Sequence, residues 1–218
     1  MMNTPESARQ DYVAGVDAFH AGNMAAAIAA WHRAALVGDR RAQFNLGVIH
    51  DQGQGVTVDH RAAAHWYTLA AKQGFADAQF NLALLYAAGD GVERDMTTAC
   101  TWYRAAAEQG HVDAQFNLAQ SLADGEGVTQ DYLAAVTWLR RAADAGHPLA
   151  PNNLGIRYAM GQGVTRSDEQ AYTWFCIAAE RGDHQAVRHR ERVAAQLTSD
   201  QLVAAGKAAT IWIQQHGG

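Results

Sequence analysis

Ten histidines, a Gly-x-Gly-Val string written four times and a segment reading DGEGVTQD from Asp124 are the parts of this chain whose residue types could do chemistry. The histidines suggest a metal. Yet His60/His65 and His184/His189 stand five residues apart, which places each pair about 140° apart around a helix. Zinc sites on helices use a spacing of three or four and need further ligands. The histidines therefore read as surface groups and no metal is expected. The acidic residues of DGEGVTQD miss the alternating ligand positions and the closing Glu of a calcium loop. The Gly-x-Gly strings follow no strand and belong to no G-x-x-x-x-G-K-[ST] or G-x-G-x-x-G pattern, so they read as helix stops and not as phosphate cradles.

Nucleophiles fare no better. Ser7, Ser121, Ser167 and Ser199 lie in neither S-x-x-K nor G-x-S-x-G contexts. Asp168 and Glu169 are acidic residues at a helix start, where the macrodipole favours them. Arg188 to Arg192, reading RHRER, is a local basic run on a solvated face, or a docking patch for an acidic partner. Cys100 and Cys176 do not form a disulfide framework. No constellation of nucleophile, base and orienting group can be assembled, and neither a catalytic residue nor a cofactor is expected.

The elements that would have to position any site are set by a repeat. Glycine recurs every 36 residues at Gly38, Gly74, Gly110, Gly146 and Gly182. Asn45, Asn81, Asn117 and Asn153 keep the same frame, each followed by leucine, and so do the Gly-x-Gly-Val strings. Recurrence in one register is the signature of stacked supersecondary units. Each unit predicts two helices. The first starts after Asn23, Asp59, Asp95, Asp131 or Ser167, all good N-cap types. It ends at the recurring glycine, which supplies the left-handed C′ residue. The second carries the Asn-Leu pair and ends at Gly-x-Gly. Trp66, Trp102, Trp138 and Trp174, near the middle of the first helices, are expected to form the core between helices. Trp31 breaks that register by one position. The repeated asparagines are expected to make structural hydrogen bonds to neighbouring loops.

Such a short pair cannot bury its apolar face alone, so neighbours share a core. The prediction is an all-α chain of about twelve helices. An N-terminal capping helix falls within 1–22, helix-pair repeats within 23–183, and C-terminal capping helices within 184–218. The last of these carries Leu202, Ala205, Ala209 and Trp212 on one side.

The stretch Ala76 to Gly110 resembles the Sel1-like repeat, a relative of the tetratricopeptide repeat. It does so through Ala78, Gln79, Asn81, Leu82, Tyr86, Gly89, Gly91, Val92, Asp95, Ala99, Trp102, Tyr103, Ala106, Ala107 and Gly110. Units fall at approximately 39–74, 75–110, 111–146 and 147–182. The resemblance implies a right-handed α–α superhelix of about five helix pairs, and an adaptor that binds proteins or peptides. One secreted, cysteine-rich branch of that family pairs a disulfide in each repeat and has β-lactam binding or hydrolysis attributed to it. This chain lacks those cysteines.

Where a partner would sit follows from what varies. Counted from each N-cap, offsets 2, 6, 9 and 13 vary while the packing positions hold, and they form one stripe of a helix. The stripe reads Arg61, His65, Thr68 and Lys72; Thr97, Thr101, Arg104 and Glu108; Leu133, Thr137, Arg140 and Asp144; Glu169, Thr173, Cys176 and Glu180. It is basic early and acidic late. In tetratricopeptide-like solenoids the first helices line the concave face, so the stripe is expected to be the floor of a groove for an extended peptide or a helix.

The net charge of −5 and a pI near 6.0 argue against a nucleic-acid surface. No run is long and apolar enough for a membrane span, and MMNTPESARQ carries no export signal. A cytoplasmic, non-catalytic protein-interaction scaffold is the leading expectation, with a periplasmic location if a signal was removed. The alternatives are an enzyme acting on cell-wall-like or β-lactam substrates, or an accessory regulator of a secretion or signalling system.

Overall fold

The computed structural model describes residues 5–216. The first four and last two residues of the expected terminal caps lie outside it. Among the described residues there are twelve α-helices and no strand, in two compact units, 1–111 and 112–218. The first unit contains α1 (Pro5–His20), α2 (Met24–Leu36), α3 (Arg40–Gln52), α4 (His60–Lys72), α5 (Ala76–Ala88) and α6 (Met96–Glu108). The second contains α7 (Val112–Asp124), α8 (Tyr132–Asp144), α9 (Ala150–Met160), α10 (Asp168–Glu180), α11 (His184–Ala194) and α12 (Ser199–His216).

Local chemistry sets the helix ends. Asn23, Asp59, Asp95, Asp131 and Ser167 each accept a first-turn amide at the start of α2, α4, α6, α8 and α10. One orphan donor of each helix is thereby satisfied. At the end of α4, Gly74 takes φ +77. Its N–H bonds Ala71 O, and Phe75 N–H bonds Ala70 O. That is the Schellman arrangement, which needs a left-handed residue at C′. After the second helices the chain folds back. Asp95 N–H donates to Tyr86 O at 2.9 Å, and Asp131 N–H to Leu122 O at 2.8 Å.

The second glycine of Gly-x-Gly does more than stop a helix. A Cβ on Gly91 would lie 2.3 Å from the carbonyl carbon of His60, and one on Gly163 would lie 2.1 Å from Tyr132 O. The loop therefore presses on the N-terminus of the preceding first helix, an approach only glycine permits.

Each first helix packs chiefly on the second helix before it: α2 on α1, α4 on α3, α6 on α5, α8 on α7 and α10 on α9. The core differs from the sequence expectation by one position. Trp66 and Trp174 are buried, but Trp102 and Trp138 are only half-buried. The residue after the tryptophan is the consistent core member, at Tyr67, Tyr103, Leu139 and Phe175. It faces a small residue on the preceding second helix. A Cβ on Gly47 would come within 2.5 Å of the Tyr67 ring, and one on Gly155 within 2.5 Å of Phe175. Trp31 holds this same position and sits over Gly15 of α1. Its register break is thus a tryptophan in the Tyr67 role.

Buried glutamines add a polar ladder. Gln43 and Gln79 donate to Ala35 O and Ala71 O, and accept from Gln73 and Gln109 at 2.7 Å. Two of the repeated asparagines bond helical residues and not the neighbouring loops expected for them. Asn81 bonds the Tyr67 hydroxyl, and Asn153 donates back to Leu149 O of its own helix at 3.0 Å. At the C-terminal end, Thr198 and Gln201 form a reciprocal capping box that starts α12.

Candidate functional site

In the first unit the stripe lies on α4 and α6. Arg61, His65, Lys72, Thr97, Thr101, Arg104 and Glu108 are exposed, and Thr68 is half-buried. The packing residues of the same helices, such as Ala63, Tyr67 and Ala70, are closed to solvent. Thr68 Oγ1 donates to Ala64 O at 2.7 Å and Thr101 Oγ1 to Thr97 O at 3.0 Å. Those hydroxyls are satisfied by their own helix and present a methyl and an acceptor outwards. Arg61, Lys72 and Arg104 have no carboxylate within ion-pair distance among the described residues. This part of the stripe is an exposed surface with a positive excess.

In the second unit the stripe lies on α8 and α10 and is differently occupied. Leu133, 67% exposed, stands in the open. Thr137 and Asp144 are also exposed. Arg140 is already engaged, donating to the Tyr158 hydroxyl at 2.7 Å with its guanidinium 5.4 Å from the centre of the Trp174 ring. On α10, Glu169 and Glu180 are exposed, Thr173 is buried and Cys176 is half-buried. The cause at Thr173 is α12, which packs on α10. Gln201 donates to Glu169 at 2.6 Å, and Thr173 Oγ1 is shared between Glu169 O and Ala205 O. The capping helix thus covers part of the predicted stripe. Burial pushes the Cys176 thiol above its usual pKa, against the opposing pull of Tyr172 and Arg190.

The surroundings offer little else. Among the described residues no group of three potential metal ligands comes together. A cleft of about 560 Å³ is lined by Phe116, Gln120, Asn153, His184 and Gln185, among others, but holds no serine, threonine or cysteine. It opens where Asn152 and Asp183 replace the aromatic pairs that the frame places at Phe44/Phe75, Phe80/His111 and Phe116/His147. Burial raises the pKa of the Tyr67 and Tyr172 hydroxyls and lowers that of His147. Neither cysteine is in a disulfide, and no described helix is long and apolar enough to cross a membrane.

An all-α array of helix pairs that repeats its caps and its buried packing positions every 36 residues defines a helical-repeat solenoid. The Sel1 repeat profile matches residues 40–75, 76–111, 112–147 and 148–183, and the chain belongs to that family. It is similar to a Sel1 repeat protein from Oxalobacter formigenes, with 31% identity and a TM-score of 0.80, covering 91% of this chain and 84% of that one. It is also similar to c5321, a protective antigen of uropathogenic Escherichia coli with the same fold. There the identity is 28% and the TM-score 0.59, covering 96% of this chain and 54% of that one. A curated match, chitin synthase regulatory factor 3 of Schizosaccharomyces pombe, is 48% identical over 44 residues, which are 20% of this chain. The aligned stretch is 5% of that protein's length. Sel1 repeat proteins are generally protein-interaction scaffolds.

Proposed function

We propose that this protein is a non-catalytic adaptor that holds a peptide or helix of a partner protein against the stripe of its first helices, the inner, concave side of the array. The observation that carries this reading is on α4 and α6. Seven of the eight side chains at the stripe offsets are exposed, Thr68 being half-buried, and they change from one repeat to the next, while the positions that pack are buried and recur. A surface that selects one partner must differ along its length; a packing device must not. Arg61, Lys72 and Arg104 against Glu108 favour an acidic segment there. The boundaries proposed from the sequence, with caps in 1–22 and 184–218 around repeats in 23–183, suit this role.

A photo-crosslinking residue placed at Thr101, and separately at Leu84 on α5, tests the assignment in native lysate. The expected result is a discrete adduct from Thr101 and none from Leu84. An adduct from Leu84 alone would move the binding surface to the second helices.

A further inference from the structure

The last helix does not continue the array. In the frame, a further first helix would pack on α11, as α10 packs on α9 and α8 on α7. Instead α12 turns onto α10 and lies along its stripe. Ala205 and Ala209 are its two buried residues. Trp212 meets Trp174 edge to face at 5.5 Å. Arg181 closes the far end, with its guanidinium 4.9 Å from the Trp212 ring centre and donating to His216 O at 3.5 Å. A cation at the last carbonyls of a helix is favourable on dipole grounds, so Arg181 fixes the polarity of whatever helix lies here.

Three observations mark α12 as weakly held. It is 18 residues long yet buries only two alanines, whereas the 13 residues of α4 bury six residues including Trp66 and Tyr67. Its outer side leaves Val203 and Ile211 more than half exposed, at 57% and 54%. Beneath it, the Trp174 indole Nε1–H is buried without an acceptor, an arrangement that lowers the stability of the covered state. Helices with few buried contacts open before the rest of a protein unfolds.

We propose that the α10 face bearing Glu169, Thr173, Trp174 and Arg181 is a helix-binding site whose resident occupant, α12, is displaceable. Its external ligand is an amphipathic helix of a partner protein with small residues at i and i+4 and an aromatic at i+7, the spacing of Ala205, Ala209 and Trp212. This rests on the reading of the first helices as the partner surface and specifies one ligand class for it. In the absence of partner, α12 keeps the site closed.

Hydrogen exchange on the full chain tests the first half. Amides of α12 should exchange about tenfold or more faster than those of α10; equal protection of the two helices would overturn the proposal. The second half uses a fluorescein-labelled peptide of residues 199–216 as the probe. It should bind the full-length Ala209→Glu variant about tenfold or more tightly than the wild type. A peptide carrying Glu at both alanine positions should bind neither. A variant whose α12 exchanges freely but gains no peptide binding would refute the site. Should Ala209→Glu fail to fold, Trp212→Ala, which removes the edge-to-face contact of α12 on Trp174 and introduces no charge, replaces it in the same peptide-binding measurement with the same expected gain. Crosslinking at Thr101 reads the first unit and is unaffected by either result, so the two proposals can fail separately.

Discussion

At Gly155 one hydrogen stands where any other residue would place a methyl group, and the Phe175 ring occupies that space 2.5 Å away. Overpacking of this kind costs about 1–3 kcal/mol, so Gly155→Ala should lower stability by that amount in urea denaturation. Adding Phe175→Leu should recover part of the loss, because the frame already pairs Ala119 with Leu139. His147 offers a second test at this scale. Its Nδ1 accepts the Leu149 N–H at 3.2 Å, its Nε2 faces Asp113 at 3.6 Å, and its ring stacks on Phe116 at 4.1 Å. Burial of the ring lowers its pKa, and Asp113 opposes this without cancelling it. Below about 6.5 the unfolded chain then binds the proton before the folded one does. Stability is full above that pH and declines as pH falls towards the lower folded value. His147→Phe, which copies Phe75 in the frame, should flatten this decline in melts between pH 5 and 8. An unchanged pH profile would contradict the role given to His147.

Among the elements, the first helices divide their two adjacent aromatics unequally. Tyr103 is buried and Trp102 only half so. Tyr103→Ala should cost about 3–5 kcal/mol, and Trp102→Ala measurably less; the reverse order in chemical denaturation would contradict the packing described. Caps, helix ends and the period were legible in the sequence because each rests on a local rule: an acceptor at N-cap, a left-handed C′, a frame that never slips. The choice between Trp102 and Tyr103 was not, since both are large and apolar and the small residue facing the buried one lies on another helix. The signal was present in Gly47 and Gly155, 20 residues before Tyr67 and Phe175. Gln43, Gln79 and Gln115 likewise recur in frame and mark the ladder that was missed. The path of α12 was also hidden. Its apolar side says that one face is covered, but not by which helix. Cys176, where the frame has Arg104 and Arg140, was the hint that this end of the stripe is not open.

For the molecule as a whole, stability is borrowed between neighbours. A peptide of residues 59–91, one helix pair, loses the α3 surface that buries Tyr67 and the α2 contacts of Trp66. It should show little helix by circular dichroism at temperatures where the full chain is folded. The claim on which the functional account turns is that the first helices carry the partner. The most direct measurement is the affinity of the captured partner for the Arg61→Glu, Arg104→Glu double variant, whose substituted side chains are exposed and support no packing. The expected result is a loss of about tenfold or more, about 1.4 kcal/mol, with the helical spectrum unchanged. Wild-type affinity in a fully folded double variant would contradict it.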